Sequence, residues 1–175
     1  MSLHVVAAVG LALLVVTPLM AQQKEARAGI TNFSRVDAVV ACGGATEAAA
    51  LAGLKQDGFA SVINLRVASE PGANVDASRA EAERAGLKYH HLPFSPSAPD
   101  TKIVEQFLAT VADKSNQPVY IHCGSANRVG AVWLVKRVLQ DGWDVDKATT
   151  EAKAIGLTNP ALEKFAVDYI TAHQK

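Results

Sequence analysis

Cysteine is scarce in this chain. Only Cys42 and Cys123 occur among 175 residues. That excludes the dense disulfide framework of a small secreted scaffold. One bridge between the two, or two free thiols, both stay open. Metal-ligand spacing is missing as well. No Cys/His group is spaced to hold zinc, and His90 and His91 would face opposite sides of a strand. No metal and no cofactor is expected. Net charge is absent, because 17 Lys and Arg balance 17 Asp and Glu. Without a run of Lys or Arg, nucleic acid and anionic membrane surfaces are poor partners. There is no internal repeat, no low-complexity linker after Ala28 and no second domain. The length suits one compact domain with a sizeable core.

One long apolar run is present, Val5 to Met20, interrupted by Gly10 and Thr17-Pro18. It is too short and too near the start to be a comfortable membrane span. Ala21 is small and is followed by Gln22-Gln23-Lys24-Glu25, the pattern of a secretory signal peptide and its cleavage site. His4 stands where Lys or Arg is usual, and Leu19 is bulky for its place. Cleavage after Ala28 is a second option, and an uncleaved anchor a third. The expected organisation is a signal peptide at 1–21, a flexible mature N-terminus at 22–31 and a catalytic domain at 32–173. The expected location is periplasmic or secreted, with no stable membrane association after cleavage.

Beyond Ala28 the pattern alternates strands with helices. Apolar runs predict strands at Val36–Ala41, Ser61–Leu65, Leu87–Leu92 and Val119–Ile121. Thr46 is placed to cap a helix reaching Gln56, and Gly86 to stop one running from Val75 to Ala85. Asp100 or Thr101 opens a helix ending near Asp113. Further helices are predicted at 128–140 and 146–154, and a last one after Asn159-Pro160. The implied class is α/β, a layered domain with a largely parallel sheet.

The chemistry concentrates at residues 120–130, Tyr-Ile-His-Cys-Gly-Ser-Ala-Asn-Arg-Val-Gly. A strand would fix Cys123 at its end. The small residues Gly124, Ser125 and Ala126, with Asn127, would let backbone N–H groups curl around an anion. A helix starting near Arg128 points its positive end at the same spot. That field favours a thiolate at Cys123. Arg128 can close the cup with a two-pronged grip. His122 would face away from the anion, either orienting the loop by a hydrogen bond or serving as a satisfied core histidine.

His122-Cys123, the loop and Arg128 resemble the cysteine-dependent phosphatase superfamily, in particular its bacterial dual-specificity-phosphatase-like branch. Upstream, Asn32-Phe33-Ser34, Gly43-Gly44-Ala45-Thr46, Gly58 to Arg66 and Gly86 to Phe94 are similar to the same group. Two departures stand out. Four residues separate Cys123 from Arg128 where the superfamily has five, and Val129 replaces a hydroxyl residue. The resemblance implies a three-layer domain with a central sheet of four to five strands. It implies phosphomonoester hydrolysis through a phosphocysteine, with Cys123 as nucleophile and Arg128 and the loop as substrate grip. The substrate would be a phosphotyrosine protein or a small phosphomonoester.

The family's general acid is an Asp on a loop before the Cys. Asp100 is the candidate here, although it is better explained as a helix cap, and Glu70 is a second carboxylate. Arg66 could draw anions to the site. The six positions from Cys123 through Arg128 also match the sulfur-holding loop of rhodanese-type sulfurtransferases. A noncatalytic or redox anion-binding domain is the third reading. Cys42, at the end of the first strand, is a possible redox partner for Cys123.

Overall fold

The structure is a computed structural model and describes residues 23–174. The expected signal segment lies outside the described residues. A six-stranded sheet is built from β1 (Gln23–Lys24), β2 (Ser34–Arg35), β3 (Val40–Gly43), β4 (Ser61–Asn64), β5 (Lys88–His91) and β6 (Val119–His122). Its order is β1-β2-β3-β6-β4-β5. The last four in that order run parallel, and β1 and β2 add antiparallel at one edge. The α/β reading stands. The two-residue edge strands raise the strand number above the four to five expected. They are too short to leave an alternating pattern.

Six helices cover the sheet: α1 (Leu51–Gln56), α2 (Val75–Ala85), α3 (Thr101–Ala112), α4 (Asn127–Leu139), α5 (Val145–Ile155) and α6 (Pro160–His173). β3, β4 and β6 are buried along their whole lengths, because helices lie on both faces. One face packs Ala41, Val62 and Tyr120 with Phe33, Leu51 and Leu54. The other packs Cys42, Ile63, Ile121 and Cys123 with Phe107, Trp133 and Ile170. α4 is buried nearly all round, so its apolar residues form no single stripe.

Two local expectations are corrected. The first strand begins at Val40, not Val36. Val36 N–H donates to Val40 O at 2.9 Å and Val39 N–H to Asp37 Oδ1 at 3.0 Å, which makes 36–40 a tight turn. Thr46 does not cap a helix. Its hydroxyl bonds Gly44 O at 3.2 Å and Tyr120 Oη at 2.7 Å, and a 3-10 turn at Ala48–Ala50 precedes α1. The stretch expected as a flexible N-terminus carries β1, an Arg27–Asp57 ion pair and a buried Ile30. Among the described residues, no helix is long and apolar enough to cross a membrane.

Candidate active site

β6 is central in the sheet, and its C-terminal end is where open parallel sheets bind ligands. There Cys123 follows the strand directly, and its N–H donates to Gly43 O at 3.3 Å. Its side chain is fully buried on the α4 side. Gly124, Ser125 and Ala126 form the turn, and α4 begins at Asn127. Ala126 adopts φ 71°, a left-handed conformation that lets the chain reverse into the helix. The expected strand–loop–helix arrangement is therefore present, with Cys123 at its base and Arg128 in the first helical turn.

Arg128 is held from one edge. Its Nη1 donates to Leu65 O at 3.1 Å, Phe94 O at 3.2 Å and Glu70 Oε1 at 2.5 Å, while Nη2 donates to Glu70 Oε2 at 2.8 Å. The Nε–H edge takes no oxygen partner among the described residues. Nη2 lies 3.3 Å from where a Cβ on Gly124 would stand, so the fork lies against the cysteine loop. Burial works to lower the Arg128 pKa, but Glu70 and Cys123 outweigh it and raise it. Glu70 is shifted the other way. The hydrogen bond from Arg128 outweighs partial burial and holds its pKa near 2. Glu70 is thus ionised across the physiological range. Both of its oxygens are taken by Arg128. Its geometry is that of a positioning residue for Arg128.

Arg66 is spent on its own loop. It donates to Gly72 O at 2.8 Å and Pro71 O at 2.6 Å, and its Nε meets Glu70 Oε2 at 3.4 Å. Its expected role in drawing anions gives way to shaping the loop that carries Glu70. Asn127 is turned from the cup. Its Oδ1 accepts from the N–H groups of Thr158 and Asn159, each at 2.7 Å, and its Nδ2 donates to Ser125 Oγ at 3.2 Å. Its side chain clamps the cysteine loop to the α5–α6 turn. Asp100 caps α3, accepting from Lys102 N–H at 2.9 Å.

His122 is buried and stacks on Tyr120, with ring centroids 5.6 Å apart. Its ring lies against the backbone of Cys123 and Gly44 at the base of the loop, and neither ring nitrogen makes a well-formed hydrogen bond among the described residues. Burial pushes its pKa down to about 3, which keeps it neutral. Cys42 is paired in register with Ile121, two residues short of Cys123. That diagonal spans roughly 8 Å between Cα atoms, beyond the reach of a disulfide without backbone movement. Both cysteines are free, and burial pushes the Cys42 thiol pKa well up. No group of His, Cys, Asp or Glu among the described residues could hold a metal.

Two clefts flank the Arg66–Asn74 loop. One of about 400 Å³ is lined by Arg27, Thr31, Thr46 and Arg66. The other, of about 510 Å³, is lined by Glu70, Asn74, Arg79 and His91. Cys123 lines neither.

A buried Cys–loop–Arg turn at the C-terminal end of a central parallel strand defines a phosphatase-like domain. More narrowly, the chain belongs to the family of the beta-lactamase hydrolase-like protein, phosphatase-like domain, whose model matches residues 30–140. It is 26% identical to the beta-lactamase hydrolase-like protein of Xylella fastidiosa, over 67% of this chain. The match spans only 32% of that relative's length. The fold is similar to a putative phosphatase of Shewanella putrefaciens, with TM-score 0.71 and 21% identity over 84% of this chain and 94% of that one. It is similar to P. aeruginosa TpbA in complex with phosphotyrosine, with TM-score 0.65 and 20% identity over 89% and 91% of the two chains. The PP-IP phosphatase of S. cerevisiae, in complex with citrate, gives TM-score 0.66 and 20% identity over 79% and 85%.

Proposed function

We propose that this chain hydrolyses phosphomonoesters through a phosphocysteine on Cys123. The observation that carries the reading is the half-satisfied Arg128. Glu70 and two carbonyls engage the two Nη atoms of its guanidinium, Nη2 also lies against the loop that begins at Cys123, and the Nε–H takes no oxygen partner among the described residues. A tetrahedral phosphoryl group offers oxygens to that Nε–H and to the loop N–H groups. Cys123 then attacks phosphorus in line with the leaving oxygen, and water later cleaves the S–P bond.

Phosphotyrosine or a small phosphorylated molecule is the preferred substrate. The loop contributes no Lys, and the chain has no basic cluster for a highly charged inositol phosphate. The apolar run before Ala21 supports an exported setting. Cleavage after Ala21 would preserve β1 and the Arg27–Asp57 pair, whereas cleavage after Ala28 would remove both.

The loop length favours one second reading. Six positions from Cys123 through Arg128 also suit a sulfurtransferase persulfide. Purified protein given an aryl phosphate and, separately, thiosulfate with cyanide separates the two. Phosphate release lost in Cys123→Ser is the expected result. Thiocyanate release without phosphate release would reverse the order.

A further inference from the structure

Resting on that reading, we propose that the chain is selective for phosphoryl donors whose leaving oxygen departs without a proton. Acyl phosphates and aryl phosphates of acidic phenols fit this class best, phenyl-type esters such as phosphotyrosine fit it less well, and alkyl phosphates such as phosphoserine do not.

The C-terminal edge of the sheet carries four carboxylates: Glu47, Glu70 and Asp100 in its loops, and Asp76 in the first turn of α2, which lines a cleft that Cys123 does not line. Glu70 has both oxygens on Arg128 and is ionised, so it accepts hydrogen bonds and gives no proton. Asp100 caps α3, and Pro96 and Pro99 stiffen the loop that leads to it. Glu47 stands beside Gly29 in the cleft on the α1 side, whereas Cys123 faces the α4 side.

Histidine does not fill the gap. His122 is buried and neutral, and His91 Nε2 bonds Arg66 O at 2.8 Å. The segment beyond Phe94, whose carbonyl touches Arg128, offers only the hydroxyls of Ser95 and Ser97 before Asp100. These are too weakly acidic to serve.

In the first step the Cys123 thiolate forms an S–P bond, and the P–O bond breaks. Its electron pair leaves on the oxygen, which takes a proton from solvent afterwards. In the second step water attacks phosphorus. The S–P bond breaks, its pair returns to sulfur, and the water protons leave with phosphate or solvent. The first step is then fast only when the leaving oxygen is weakly basic. The second step, also without a positioned base, limits turnover on good substrates.

The test uses 4-nitrophenyl, phenyl and propyl phosphates and acetyl phosphate, with wild type and Asp100→Asn. The expected result is a fall in kcat/KM of about 100-fold or more from 4-nitrophenyl to phenyl phosphate, the low end of what a general acid contributes. A burst of 4-nitrophenol should precede steady turnover. Asp100→Asn should stay within about twofold of wild type on every ester, because no proton transfer is removed. Similar kcat/KM on phenyl and 4-nitrophenyl phosphate would overturn the inference. So would a selective loss on phenyl phosphate in Asp100→Asn. No phosphate from any donor, with no trapped phosphocysteine, would sink the hydrolase reading itself.

Discussion

α4 carries two buried arginines nine residues apart, and they are used in opposite ways. Nine residues are two and a half turns, so Arg128 and Arg137 leave opposite sides of the helix about 13 Å apart along it. Arg137 is enclosed. Its Nε and Nη2 donate to Glu151 at 2.6 and 3.1 Å, Nη1 to Asp141 at 2.8 Å, and Nη2 to Asp37 at 3.3 Å. The rings of Trp133 and Trp143 lie 4.7 and 4.4 Å from its guanidinium carbon. Burial opposes its charge, yet Glu151, Asp141 and Asp37 outweigh it and raise the pKa. Arg128 has a single carboxylate and an edge left over. A saturated arginine fastens the fold, whereas one fixed along half its donors is ready for an anion.

Replacing each arginine tests that contrast. The largest effect is expected at Arg128. Arg128→Lys keeps the charge and loses the fork, so kcat/KM on aryl phosphate should drop about 10³-fold. Vanadate affinity should fall with it, and the urea midpoint should fall less than in Arg137→Met, because the retained charge still faces Glu70. A variant of near wild-type activity would erase the distinction. Arg137→Met should do the reverse. It strands carboxylates around a buried site, and because those are partly exposed the cost should be about 2–4 kcal/mol. Urea unfolding reads the loss, and kcat per folded molecule should hold.

A smaller change is expected at Glu70. Glu70→Gln leaves Arg128 less firmly aimed, and kcat/KM should fall about 10-fold, carried mainly by kcat. Stability supplies a pH signature. The Glu70 pKa is lowered from 4.5 to about 2, so its stabilising contribution is complete above 4.5 and is lost as pH falls toward 2. The stability gap between wild type and Glu70→Gln should therefore narrow across that window. His122, lowered from 6.5 to about 3, adds an acid-side loss that begins near 6.5 but is common to both proteins. The smallest effect belongs to Asn127→Ala. It frees two N–H groups of the α5–α6 turn and should cost about 1–2 kcal/mol in urea unfolding.

Much of the fold is legible in the sequence, and the reasons are local. α2 spans Val75–Ala85 as its polar, alanine-rich pattern and the stop at Gly86 predict, with Gly86 at φ 78°. Pro160 and the Asn159 cap place the start of α6. Cys123 and Arg128 are legible because a strand, small residues and a helix follow one another directly. What escapes sequence reading is long-range or conformational. Glu70 stands out as a carboxylate, but its partner lies 58 positions away and leaves no periodic trace. Arg66 and Asn127 look like anion ligands by residue type, yet the loops beside them claim their donors and acceptors. The Arg137 cluster draws on Asp37, 100 positions distant, and no local pattern signals it.

The left-handed turn at Ala126 sets a rule for which sequences this family member can drift into. A Cβ on Gly156 would meet the Ala126 Cβ at 2.9 Å, and Gly156 itself sits at φ 147°. Position 126 must tolerate positive φ, and its side chain has no room to lengthen. Position 156 must lack a side chain altogether. A saturation library at 126 should return Gly, Ala and little else, because β-branched residues fail on both backbone and space. At 156 only Gly should survive. Two tiny residues thirty positions apart are thus bound to the same history, because the glycine fixed at 156 leaves position 126 room for a methyl group and no more.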